Sequence, residues 1–170
     1  MNEKAREHLQ DWLRDAHAME KQADQMLRGQ ASRLEHYPEL KARIEQHIQE
    51  TQGQIDLLEG VIDQANMSTS AVKDMGAKFT AVGQSLGGMF ASDEVVKGGV
   101  ASYTFEHFEI ANYRALILTA EHCGETEIMR VCEKILKEEE AMAKWLEDNL
   151  PAVTRAFLAR DESDDLPSKR

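Results

Sequence analysis

Apolar side chains recur in this chain at alternating steps of three and four residues, and glutamates interrupt the stripes they form. Leu13, Ala16, Glu20, Ala23 and Leu27 show the pattern. Such steps keep residues on one helix face, so the four apolar members point at a common core and Glu20 points there with them. A helix of this kind has to pack against other helices. It also has to accommodate a carboxylate that is costly to bury unless something positive meets it.

The same spacing divides the chain into long rods. Residues 3–34 are predicted as one helix, broken by His36-Tyr37-Pro38. A second helix over 38–65 carries Leu40, Ile44, Ile48, Ile55, Leu58 and Ile62. The break between them is short, which predicts an antiparallel hairpin. A loop at 66–70 leads into a weaker amphipathic helix over 70–91, where Gly76, Gly83, Gly87 and Gly88 suggest bends and close packing. Ser92-Asp93 caps a third long helix, 93–122, and Gly124 ends it. The fourth covers 125–148. Pro151 then opens a short fifth helix over 151–160, since proline suits a first helical turn. The expected fold is all-α: an up-down-down-up four-helix bundle with a long crossover helix and a short C-terminal fifth helix. Residues 1–160 would form one helical domain and 161–170 a polar tail.

Composition supports helix and narrows the function. Hydrophobic residues make up 42% and there are only 3 prolines, so the chain is globular and helix-prone. A net charge of −11 argues against direct nucleic-acid binding and against docking on anionic membranes. No run of 18 apolar residues exists, and the start MNEKAREHLQ is polar, so a cytoplasmic location is expected. Cys123 and Cys132 suit a reducing compartment.

Glutamates fall on the inward stripe of every long helix. On the fourth, Ile128, Cys132, Ile135, Glu139, Met142 and Leu146 line up, with Glu138 and Glu140 flanking. The third offers Ser102, Glu106, Glu109, Tyr113 and Leu116 on one face. The second has a wider apolar arc that includes His47, Glu50, Thr51 and Gln54. Each residue alone has an ordinary explanation, as a solvated acid, a core histidine or a packing tyrosine. Acids converging from four helices would raise one another's pKa and destabilise the fold, and divalent cations would relieve the conflict. Oxygen-rich ligands with a minority of histidine suit iron or manganese, here two ions. The expected ligands are Glu20, Glu50, Glu106, Glu109, Glu139 and His47, with Gln54 and Tyr113 behind them. His17, one turn before Glu20, is expected to face elsewhere.

Asp15-Ala-His-Ala-Met-Glu-Lys-Gln22, His47-Ile-Gln-Glu-Thr-Gln-Gly-Gln54, Phe105-Glu-His-Phe-Glu-Ile-Ala-Asn-Tyr113 and Glu138-Glu-Glu140 resemble the YciE/YciF-type bacterial stress proteins, the YciE branch most closely, over nearly the whole chain. The resemblance implies a ferritin-like fold related to rubrerythrins and manganese catalases, a dimer, and a general-stress role beside a manganese-catalase-like protein. It pairs Glu20 with the first-helix glutamate of rubrerythrin-like sites, Glu50 with the second-helix acid, Glu106 and Glu109 with the third-helix pair, and Glu139 with the fourth-helix acid. The sequence departs from that pattern at Gly53 and Met142, where ferritin-like sites usually carry histidine.

The leading expectation is a stress-response protein with a dinuclear iron or manganese site that reacts with peroxide or dioxygen. Glu106 and Glu50 would bridge or chelate, Glu20 and Glu139 would be terminal, and Glu109 would move on and off the metal. His47 would be a sixth ligand or would fix a carboxylate. The alternatives are a metal-sequestering protein without turnover, and a metal-free structural partner of a homologous stress protein. A homodimer is expected; the crossover with the Leu86–Phe90 stretch either forms its contact or packs across its own bundle. No Cys-x-x-Cys is present, so a reductant would have to come from another protein.

Overall fold

A computed structural model of the chain describes residues 3–65 and 94–163. Four long helices and no strand occur among them: α1 (Glu3–Ala31), α2 (Pro38–Gln64), α3 (Glu94–Cys123) and α4 (Thr126–Asp161). The expected crossover helix over 70–91 and the Leu86–Phe90 stretch lie outside the described residues.

The helix ends follow local chemistry. Pro38 opens α2 in its first turn, where its missing N–H costs nothing. Gly124 sits at φ 73° between α3 and α4. Its N–H donates to the Glu121 carbonyl at 3.0 Å, and that of Glu125 donates to the Ala120 carbonyl at 2.9 Å. This pair of bonds closes a helix on a left-handed residue, where a side chain would be strained. The first helix stops at Ala31, three residues short of expectation. Ser32 still donates to the Arg28 carbonyl at 3.1 Å, but Arg33 and Leu34 turn back on Gln30 and Ala31.

One expectation needs correcting. There is no separate fifth helix: α4 runs unbroken through Pro151 to Asp161. Proline removes one backbone bond, to the Glu147 carbonyl, and both residues face solvent, where water can replace it. The apolar stripe continues beyond it. Val153 and Phe157 pack on the cluster that holds Tyr37, Leu40 and Leu146. Burial of that stripe outweighs the lost bond.

Helices α1 and α2 pair, α3 and α4 pair, and the pairs join through α1 against α3 and α2 against α4. This closes a four-membered ring around two apolar clusters. One holds Leu9, Leu13, Leu58, Leu116 and Ile135; the other holds Leu27, Ile44, Val95, Met142 and Leu146. Fully burying a leucine or isoleucine contributes about 1.5–3 kcal/mol, so the two clusters supply most of the driving force. On every helix the inward glutamates or His47 lie near the border between the two apolar sets. A polar layer therefore crosses the core where the clusters meet.

Candidate metal centre

Seven polar side chains meet in that layer. Glu20 comes from α1, His47 and Gln54 from α2, Glu106, Glu109 and Tyr113 from α3, and Glu139 from α4; all are buried. No lysine or arginine is buried among the described residues. The helical register explains the convergence. Positions 47, 51, 54 and 58 of α2 share one face, as do 106, 109, 113 and 116 of α3.

His47 is the hub. Its Nε2 lies 3.2 Å from Glu106 Oε2 and 3.4 Å from Glu139 Oε2, and its Nδ1 is 2.7 Å from Glu50 Oε2. Ligating atoms of His47, Glu106 and Glu139 all fall within 4.8 Å of one another, close enough to share an ion. The Gln54 amide donates to Glu139 Oε1 at 2.5 Å and to Glu138 Oε2 at 3.0 Å. The Tyr113 hydroxyl donates to Glu20 Oε1. After these contacts, Glu20 Oε2, Glu106 Oε2, Glu109 Oε1 and Glu139 Oε2 are buried and make no well-formed hydrogen bond, the Glu106 and Glu139 atoms meeting only the His47 Nε2 named above. Buried polar atoms are seldom left so. Four such oxygens from three helices fit a cation.

Glu50 is placed differently from the sequence reading. Its side chain is 23% exposed, at the rim. There it accepts from Arg43 at 3.1 Å, from Gln46 at 2.8 Å and from His47 Nδ1–H. Gly53, one turn on, is exposed too. The inward stripe of α2 runs through His47 and Gln54, one position off the Glu50/Gly53 frame. Met142 is fully buried and belongs to an apolar cluster. His17 faces away from the layer, with Nε2 2.8 Å from Glu59.

Electrostatics follow the packing. Burial raises Glu20 and Glu109 well above the carboxylate range, and neighbouring acids push further. Burial also lifts Glu106, to about 8, against the pull of His47. Burial alone would raise Glu139 as well, but His47, Glu106 and Gln54 bond to it and hold it below its ordinary value. Burial pulls His47 down, yet Glu106, Glu139 and Glu50 more than offset this and hold the imidazolium well above its ordinary pKa. In the metal-free layer burial favours the protonated forms of Glu20, Glu106 and Glu109, while Glu139 and His47 favour each other's charged forms. The layer has protons to exchange for a cation.

A family described as a domain of unknown function, DUF892, matches residues 4–159. A crystal structure of a protein from Xanthomonas campestris pv. campestris str. ATCC 33913 is 44% identical, with a TM-score of 0.79 over 93% of this chain and 99% of that one. YcfI from Rhodopseudomonas palustris is 26% identical, with a TM-score of 0.68 over 84% and 92%. The E. coli stress protein YciF is 22% identical, with a TM-score of 0.73 over 88% and 96%, a likeness of fold.

Proposed function

The chain belongs to the DUF892 family, and from the buried layer it carries we propose that it is a cytoplasmic, ferritin-like stress-response protein that holds two iron or manganese ions. The observation behind this reading is the cluster of buried carboxylates around His47: Glu20 Oε2 and Glu109 Oε1 have no hydrogen-bond partner, Glu106 Oε2 and Glu139 Oε2 meet only the imidazole, and no lysine or arginine is buried among the described residues. His47, Glu106 and Glu139 would hold one ion; Glu20 and Glu109, with Glu139 shared, would hold the other. Glu50 is assigned to orienting His47. Its acceptance of the Nδ1 proton leaves Nε2 free to ligate, an arrangement typical of metal-bound histidines. Gln54 and Tyr113 fix the rotamers of Glu139 and Glu20 in the same way. The bound metals would supply redox capacity towards peroxide or dioxygen. The apolar clusters on either side keep bulk water from the layer. The name of the similar protein YciF supports the stress role.

Sequestration without turnover is the second reading, and Met142 favours it. A buried thioether stands where related sites offer imidazole, so the α4 side of the centre has fewer strong donors. Peroxide supplied at one equivalent and in large excess separates the two: an enzyme consumes the excess, a sequestering protein does not. Anaerobic titration of metal-free protein with Mn(II) or Fe(II), with elemental analysis, tests the metal reading common to both. It predicts two ions per chain in the parent and fewer in His47→Ala.

A further inference from the structure

Two uncharged oxygens on the inward face of α2 stand unpaired. Thr51 and Gln54 are both 0% exposed, and Thr51 Oγ1 and Gln54 Oε1 make no hydrogen bond. The orientation of the Gln54 amide is fixed by its neighbours. One end reaches Glu139 Oε1 at 2.5 Å and Glu138 Oε2 at 3.0 Å. Carboxylate oxygens accept, so the NH2 group has to stand there and the carbonyl oxygen is the free end. Thr51 differs from the other threonines within helices. Thr104, Thr119 and Thr154 each donate to the carbonyl four residues back, at 2.9, 2.8 and 2.8 Å. That bond is open to any threonine inside a helix, and Thr51 does not make it. Its place in the register is the inward one. It stands one turn after His47 and one turn before Gln54, the two α2 side chains that meet Glu139. Each unpaired oxygen costs stability in the absence of a partner.

Charge narrows what two ions can take from α2. The carboxylates of Glu20, Glu106, Glu109 and Glu139 are buried in the layer, and two divalent cations balance these four charges. A fifth anion would leave net charge in a core where no lysine or arginine is buried among the described residues, at high cost. Two octahedral ions need more donor atoms than four carboxylates and one imidazole offer, and the added donors have to be neutral. On the two-ion reading above, we propose that Thr51 Oγ1 and Gln54 Oε1 are neutral oxygen ligands of the metal centre. Helix α2 then binds through three side chains, His47, Thr51 and Gln54, and adds no charge. The Gln54 amide has two tasks: its NH2 holds Glu139, and its oxygen meets an ion. Hydroxyl and amide oxygens are hard donors that suit manganese, which makes Mn(II) the probe.

Calorimetric titration with Mn(II) compares the parent with Thr51→Val, which exchanges the hydroxyl for a methyl group, and Thr51→Ser, which keeps it. Thr51→Val should bind about 10- to 100-fold more weakly and Thr51→Ser close to the parent. Metal-free Thr51→Val should melt no lower than the parent, because the hydroxyl it loses has no partner there. A lower melting temperature would give the hydroxyl a structural role instead. For Gln54, infrared difference spectra of protein with 13C in the glutamine side-chain carbonyls report ligation directly. Mn(II) should move one amide C=O band to lower frequency, and the moved band should be missing from Gln54→Leu. With two ions bound, an unmoved band overturns the role of Gln54. Affinity unchanged in Thr51→Val, or equally weak in Thr51→Ser, overturns that of Thr51. A parent that takes up no Mn(II) contradicts the two-ion reading first, and this assignment falls with it.

Discussion

At the scale of single residues, Glu50 and Glu109 show how one residue type takes opposite roles. Glu50 meets Arg43, Gln46 and His47 at the rim and is held below its ordinary pKa, burial opposing and His47 leading the charges that prevail. On the proposed reading it orients the His47 imidazole, whose Nδ1 it meets at 2.7 Å. Glu50→Ala should therefore keep the number of ions bound and weaken their affinity by roughly 10- to 100-fold, as calorimetric titration would show. A lost ion would instead make Glu50 a ligand. Glu109 is fully buried, and Glu20, Glu139 and Glu106 add to the burial that raises it. Metal-free Glu109→Gln should be more stable than the parent at pH 8, by about 1–3 kcal/mol, because the unfolded chain no longer gains by ionising there. Near pH 4.5 the difference should shrink. The same variant should lose most of the stabilisation that metal gives. Urea unfolding at the two pH values, with and without Mn(II), measures both effects.

At the scale of helices, period and punctuation carried most of the fold. Stripes spaced by three and four gave the four rods, and Pro38 and Gly124 marked turns that the structure places there. Inward positions on α1, α3 and α4 were equally legible, because Glu20, Glu106, Glu109 and Glu139 stand in narrow apolar stripes that fix their direction. The α2 face was not. Its apolar arc is wide, so Glu50 and His47 both qualified by pattern, and only packing against α4 selected His47 and Gln54. Pro151 misled for a related reason. Proline reads as a start signal locally, while the value of continuing α4 comes from contacts with Tyr37 and Leu40, far away in sequence. The pairing of Gln30 with Ser102, 72 positions apart, had no local signal at all. If tertiary packing is what carries α4 through the proline, Pro151→Ala should stabilise the protein by about 1–3 kcal/mol without altering metal stoichiometry. Destabilisation on thermal unfolding would mean that the ring itself is needed there.

At the scale of the whole molecule, the bundle is a frame that holds acids where water would otherwise solvate them, and pH should expose the cost. Glu20, Glu106 and Glu109 have folded-state pKa values raised above 4.5, so the folded chain holds more protons than the unfolded one across that range. Metal-free stability should fall as pH rises from 4.5, and the contribution of Glu106 should be fully felt by about pH 8. His47 acts in the same direction: its pairing stabilises below its ordinary value of 6.5 and is lost as pH rises through its raised folded-state value. Glu139 and Glu50, both held low, act oppositely, losing their contribution only as pH drops below 4.5. Metal should reverse the trend, because binding removes the same protons and strengthens as they leave. Melting curves of metal-free and Mn(II)-loaded protein should separate progressively between pH 4.5 and 8. The most direct test of the account is therefore the melting temperature of one preparation at neutral pH, stripped with chelator and then reloaded with two equivalents of Mn(II) or Fe(II). A clear rise that saturates near two ions per chain is predicted, since a ligand bound only by the folded state must stabilise it. Identical melting before and after reloading, with no ion retained, would contradict it.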